Sequence, residues 1–313
     1  MEERVTKILL QILIFPGFLF TAILGCLVSW IDRKVTARVQ WRVGPPLLQP
    51  FYDFVKLLGK ETIVPEGGAR RIFLIAPLIA LAAITLVSTL LWQVLLWPQQ
   101  SFLGDLIVVI YLLTVLPIAV IIGGAASANP LASLGASREM KLILGYELPF
   151  ILALFVPVIQ AGGKIRLGEL LTWQWTNHPF LYSWSGIVAF VVAILCMQAK
   201  LGLVPFDMSE AETEIIAGPY IEYSGAPLTL YKLTRWMMLF VLPMFLVIMF
   251  MGGIVFSSWH ILWGILKYVI LLVVVILIRN TNPRLRIDQA MRFFWGPVTG
   301  LALLAVILAF VGV

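Results

Sequence analysis

The chain has 313 residues, 61% of them hydrophobic and only 12% charged, and a mean hydropathy of +1.01. That balance excludes a soluble globular domain and a disordered chain. The formal net charge of +6 invites a nucleic-acid reading, but the placement of the basic residues makes it a topology signal.

Windows of about 20 residues, the length a helix needs to cross the hydrocarbon core, predict eight spans. They run near Ile8–Trp30, Ile72–Trp97, Phe102–Ala126, Met140–Gln160, Trp184–Val204, Leu228–Phe256, Ile261–Ile278 and Phe294–Val313. The expectation is an all-α integral membrane protein forming one multi-pass domain, residues 1–313. The first apolar run is long enough to span, and no small-residue cleavage site precedes Trp30, so it does not read as a cleavable signal peptide. Seventeen of the 22 Lys and Arg fall on one side of this arrangement, against Arg4, Lys7, Lys164 and Arg166 on the other. The positive-inside rule makes the basic side cytoplasmic and points both termini outward.

The first cytoplasmic connection, Ile31 to Arg71, is long. Within it Gln49–Lys60 predicts a short amphipathic helix: Phe51, Phe54 and Leu58 share a face, Gly59 suits the end, and Lys56 and Lys60 point to headgroups or a partner. Asp105, at the start of the third span, has no assigned role. Glu139 and Glu147 bracket the start of the fourth span, two turns apart on broadly one face, and an intramembrane Glu is a functional candidate. A structural ion pair with Lys141 or Lys200 is the simpler alternative. The outer connection 161–183 carries Trp173, Trp175 and Tyr182, an interfacial aromatic belt.

Between the fifth and sixth spans lies Pro205-Phe206-Asp207-Met208-Ser209-Glu210-Ala211-Glu212-Thr213-Glu214, running on to Glu222-Tyr223-Ser224-Gly225. It holds five of the sixteen carboxylates: Asp207, Glu210, Glu212, Glu214 and Glu222. Acid at that density beside a bilayer marks an ion path or a docking surface, with a solvated loop as the plain alternative. Glu210 and Glu214, four apart, are expected to share a helical face and repel, holding one proton between them. Lys200 is expected to act as counter-ion for this cluster, and Lys232 and Arg235 to neutralise Glu222 or the acidic run. Lys267, alone in the seventh span, has no assigned role.

Cys26 and Cys196 sit inside spans without metal-ligand spacing, and neither a Walker nor a dinucleotide-binding glycine pattern occurs. The expectation is therefore no cofactor in this chain. Any redox centre then belongs to another polypeptide.

Two motifs carry a resemblance. Ile31-Asp32-Arg33-Lys34-Val35-Thr36-Ala37-Arg38-Val39-Gln40 followed by Arg42-Val43-Gly44-Pro45-Pro46, continued by Asp53, Lys56, Lys60, Glu61 and Pro65, is one. Pro205–Asp207 through Glu222–Gly225 is the other. Together with the eight spans, the chain resembles the membrane heel subunit of respiratory complex I (the NuoH type) and its relatives in membrane-bound energy-converting nickel–iron hydrogenases. The resemblance covers nearly the whole chain.

It implies a non-catalytic subunit joining a peripheral electron-transfer arm to an ion-translocating membrane arm. The acids matching Glu139, Glu147, Asp207, Glu210, Glu212, Glu214 and Glu222, with Lys200, would form the ion or proton path. Asp32, Arg33, Arg38, Arg42, Asp53, Lys56, Lys60 and Glu61 would dock the peripheral arm. Implied partners are iron–sulfur and hydrogenase-like peripheral subunits, carrying iron–sulfur clusters and, in the hydrogenase form, nickel–iron. Further partners are antiporter-like membrane subunits in the plasma membrane, and no nucleic acid. Quinone-using members carry a longer Gly–Pro–Asn–Arg–Val–Gly stretch where this chain has Gly44–Pro50, a Tyr–His pair where it has Gly218-Pro219-Tyr220, and Glu in place of Asp32. These departures look more like the ferredoxin-driven hydrogenase and archaeal forms, with the quinone-site protein of complex I, a stand-alone transporter and a purely structural anchor as the other readings.

Overall fold

The computed structural model describes residues 2–256 and 258–312, without the side chains of residues 2–5, 7, 8, 212 and 258. The described residues are helical or irregular, and no strand occurs among them. The helices are α1 Glu2–Leu13, α2 Phe18–Val39, α3 Gln49–Leu58, α4 Arg70–Leu96, α5 Asp105–Ala126, α6 Pro130–Gln160, α7 Leu167–Thr176, α8 Trp184–Lys200, α9 Glu212–Ile215, α10 Gly225–Met251, α11 Ser258–Thr281, α12 Ile287–Phe293 and α13 Thr299–Val311. Seven helical stretches are long and apolar enough to cross a membrane; α8, with 17 residues, is a shorter eighth. The expected all-α membrane protein is what the chain forms.

Helix α10 is the axis. Of its most apolar stretch 89% is buried, against 28% for the α12–α13 stretch. It packs on α2 and α4, while α6 packs on α5, α8 and α13. The outward side chains of the peripheral helices, such as Leu262, Trp263, Ile307 and Phe310, suit hydrocarbon, since lipid-facing positions gain nothing from polarity.

Several ends differ from those expected, for one reason: hydropathy registers only the apolar part of a helix. The turns carrying Asp32 to Arg38 are helical, so α2 runs to Val39 and the first connection contracts to 40–69. Helix α6 starts at Pro130, capped by the Asn129 side chain accepting from the Leu131 N–H at 2.9 Å, with Pro130 in the first turn where its missing N–H costs nothing. Glu139 therefore lies well inside α6 and does not flank its start. The outer connection 161–183 holds α7, whose Trp175 indole donates to the Gly252 carbonyl at 2.9 Å.

Candidate functional site: a chain of carboxylates and bases

Four helices, α5, α6, α8 and α10, and one folded connection build the site. At the centre of the bundle, Lys200 at the end of α8 donates to Glu147 of α6 at 2.9 Å, and the lysine side chain is fully buried. Its ammonium lies 4.9 Å from the Phe150 ring and 5.3 Å from the Tyr146 ring, both faces favourable to a cation. Thr114 of α5 donates to the other Glu147 oxygen at 2.8 Å. An ion pair with one fully buried partner is weak evidence for stability, because desolvation offsets much of the attraction.

Residues 205–224 are a folded plug, not a solvated loop. Asp207 accepts from Arg284 at 2.9 Å, and its second oxygen is buried without a partner among the described residues. Burial raises its pKa above the usual carboxylate range against the opposing pull of Arg284. Glu210 pairs with Arg235 of α10, whose guanidinium also lies over the Tyr220 ring at 6.0 Å. Glu214 pairs with Arg138 of α6 at the exposed rim.

The expected face shared by Glu210 and Glu214 is therefore corrected. Glu210 closes a 3-10 turn, Met208–Glu210, whereas Glu214 sits in the single turn of α9. Each has its own arginine, so the four-residue spacing brings no like charges together. The Glu212 side chain lies outside the described residues. Glu222 accepts from the Asn129 amide at 2.5 Å, so the residue that caps α6 also anchors this acid. Tyr223 and Tyr231 donate to the carbonyls of Phe73 and Ala119, both at 3.0 Å, and fasten the plug and the start of α10 to α4 and α5.

Lys200 is paired with Glu147, the simpler alternative the sequence offered for that acid, and not with Asp207 or Glu210, for which nearness in sequence makes it a counter-ion. It does line the same small cavity as Glu139, Glu210, Tyr220 and Arg235, about 50 Å³ in volume, room for a few waters. Glu139 is buried and faces this cavity and Ser209. The two acids of α6 thus have different neighbours: Glu139 faces the cavity lined by Glu210, Arg235 and Lys200, and Glu147 holds Lys200 from the other side, while Glu214–Arg138 sits at the exposed rim.

The first-loop residues divide. Asp32 accepts from Arg279 at 2.7 and 3.0 Å, joining α2 to α11. Asp53 of α3 accepts from Arg33 at 2.6 Å and Gln49 at 2.9 Å. Burial acts to raise the Asp53 pKa, but these two hydrogen bonds and the Arg33 charge outweigh it and hold the carboxyl below its usual range. Arg38, Arg42, Lys56, Lys60 and Glu61 are exposed, and their side chains form no ion pair among the described residues. In α3, Phe51 and Phe54 pack on the core, while Leu58 joins Tyr52 and Val55 among the exposed apolar residues.

Sequence reasoning misses three contacts. The two motifs meet: the Ser224 hydroxyl donates to the Glu61 carbonyl at 3.1 Å and accepts from the Ile63 N–H at 3.0 Å. Asp105 accepts from the Leu106 and Leu167 N–H groups, both at 2.8 Å, tying the starts of α5 and α7. Lys267 donates to the Met251 carbonyl at 2.7 Å, satisfying the end of α10. An acid opening an apolar run is a known helix-start signal and could have identified Asp105; the other two contacts carry no local signal.

Among the described residues no group of three or more His, Cys, Asp or Glu is placed to hold a metal ion. The chain matches the NADH dehydrogenase family over residues 10–310. It is similar to a NuoH-type NADH-quinone oxidoreductase protein of Syntrophobacter fumaroxidans, 34% identical over 295 residues, 88% of this chain and 86% of that one. Against the corresponding NADH-quinone oxidoreductase protein of Thermomicrobium roseum it is 34% identical over 315 residues and 92% of each chain. A solved structure of the membrane-bound sulfane sulfur reductase, an archaeal respiratory membrane complex, contains a similar chain at a TM-score of 0.83 and 26% identity, covering 97% of this chain and 99% of that one.

Proposed function

The chain belongs to the NADH dehydrogenase family as a NuoH-like membrane component of complex I-like complexes, and from that premise we propose that it couples ferredoxin-driven electron transfer in a peripheral arm to proton or sodium translocation. The observation carrying this reading is the group of ionisable side chains that meet at one cavity, Glu210–Arg235, Glu139 and Lys200 with its partner Glu147, with the Glu214–Arg138 pair at the exposed rim of the same plug. The route starts among the basic residues where a peripheral arm would dock and ends between spans.

The mechanism is electrostatic. A unit charge arriving within about 4 Å is worth about 4 kcal/mol at an effective dielectric near 20, equivalent to a displacement of about 3 pKa units. A redox event that brings or removes a charge at that distance is thus large enough to move a proton onto or off Glu139. Lys200 and Glu147 then pass that bias to the membrane arm. In this reading iron–sulfur or nickel–iron centres reside in peripheral hydrogenase-like partners, antiporter-like subunits lie alongside in the plasma membrane, and both termini face outward.

The ferredoxin assignment is supported by Gly44–Pro50 and Gly218-Pro219-Tyr220 in place of the quinone-type stretches, and by the near-complete likeness to the chain in the sulfane sulfur reductase complex. A second reading, a quinone-reducing complex, is favoured by the names of the curated relatives. Nickel and iron assay of the complex isolated on this chain addresses both readings. Iron with nickel identifies the hydrogenase form. Iron without nickel leaves the sulfur- or quinone-reducing forms, which a quinone-site inhibitor separates. Neither metal in an intact preparation sinks the redox-complex reading.

The path itself is tested by Glu139→Gln, which preserves shape and removes the titrating proton. Electron transfer is expected to persist while ion uptake into vesicles falls about a hundredfold, the lower range for a positioned proton-transfer group. Undiminished uptake in an assembled variant would remove Glu139 from the path.

A further inference from the structure

A second cavity, of about 280 Å³, lies between the last turns of α2 and α11 and the first half of α10. It shares Arg235 with the first cavity, but none of the carboxylates Glu139, Glu147, Glu210 and Glu214 lines it. Its polar wall is formed by Ser29, Asp32, Arg33, Lys232, Arg235 and Arg279. The carboxylates that these arginines engage are all occupied: Asp32 by Arg279, Asp53 by Arg33, and Glu210 by Arg235. Each arginine uses only Nη1 for its carboxylate, so its Nε and Nη2 donors have no partner among the described residues. A guanidinium offers five N–H groups, so a single carboxylate leaves most of its donor capacity unused.

Two further groups point the same way. Lys232 forms no ion pair among the described residues, which leaves the wall one positive charge in excess of its acids and their partners. Ser29 lines the same cavity and adds a hydroxyl able to donate or to accept. Leu203, Trp236 and Leu239 complete the lining with apolar surface.

Unused guanidinium donors, an ammonium and a hydroxyl around one small space match a phosphate group, which takes several charge-assisted hydrogen bonds at once. The cavity also lies at the end of the spans where the basic residues gather, and basic pockets between membrane helices on that side hold anionic headgroups. Helix α3 lies across α2 and α10 there, with Tyr52 and Val55, 62% and 65% exposed, turned away from the protein, as befits an interfacial helix. We propose that this pocket binds the phosphate of an anionic phospholipid. The inference rests on the membrane reading alone and not on the coupling route.

The test uses the isolated complex, delipidated in mild detergent and re-exposed to phosphatidylglycerol, phosphatidylcholine or inorganic phosphate, with retained molecules counted by native mass spectrometry. The wild-type complex is expected to retain one more phosphatidylglycerol than the Lys232→Gln complex, whose retention needs about tenfold more lipid, the effect of losing one charge-assisted contact. Leu203→Trp fills the space without altering charge and should abolish the same retained molecule. Unchanged phosphatidylglycerol retention in both variants overturns the proposal, as does equal retention of phosphatidylcholine. Inorganic phosphate held as tightly as the lipid would show a free-anion site and overturn the assignment to a phospholipid.

Discussion

Glu147→Gln should destabilise the assembled complex by about 3–5 kcal/mol, although the two side chains have nearly the same shape. The loss lies in the partner. The Lys200 side chain is fully buried and has Glu147 as its only ion-pair partner among the described residues, so the variant leaves a buried charge without compensation, at the cost typical of breaking such a pair. By shape alone the substitution looks mild; the ion pair makes it costly. The double variant Glu147→Gln/Lys200→Met removes both charges and should recover most of the stability, because replacing a whole buried pair with apolar groups is often neutral. Thermal inactivation of the detergent-solubilised complex, followed by size-exclusion profile, measures both. A Glu147→Gln complex as stable as wild type would mean that water reaches Lys200 and that the pair is not desolvated. A rescued double variant that assembles without pumping ions would place the pair on the coupling route.

The parts of the fold that sequence makes legible are those governed by local chemistry. Apolar runs of membrane length have one solution, so the spans and the amphipathic segment around Gln49–Leu58 follow from periodicity and composition. Helix ends do not follow, because Asp32–Arg38 and Asn129–Arg138 are polar turns continuing a helix beyond the apolar window. The site is misread at a specific step: a spacing of four places residues on one face only within a continuous helix. Ala211, extended at ψ 99, separates the turn ending at Glu210 from the turn of α9, so Glu210 and Glu214 turn to Arg235 and Arg138 instead of each other. Nearness in sequence assigns Lys200 to the acidic run, whereas its carboxylate comes from another helix, 53 positions away. Sequence offers that pair only as one of two alternatives for Glu147, because the choice between Lys141 and Lys200 depends on how the helices are arranged.

Gly218→Ala should be among the most damaging changes outside the spans. Gly218 has φ +52 and a Cβ built on it falls 1.8 Å from the Ser209 carbonyl oxygen. The backbone conformation alone costs about 1–2 kcal/mol for a side chain, and the collision adds about 1–3 kcal/mol of overpacking. Neither neighbour has room to yield. Pro219 is wedged against two helices, since a Cβ on Gly135 of α6 would meet its Cδ at 2.7 Å and one on Gly124 of α5 would meet its Cβ at 2.9 Å. Ser209 adjoins Glu139 and precedes Glu210, so displacing it moves the acids that line the small cavity. Gly162→Ala provides the control: Gly162 has φ +74 but nothing within 4 Å of the added carbon, so it bears the conformational cost without the collision. Hydrogen exchange over 205–223 should rise sharply in Gly218→Ala and remain at the wild-type level in Gly162→Ala, with ion uptake lost only in the former. Equal exchange in the two variants would show that the plug gives way easily, and that the positions of Glu139 and Glu210 are not fixed by this turn.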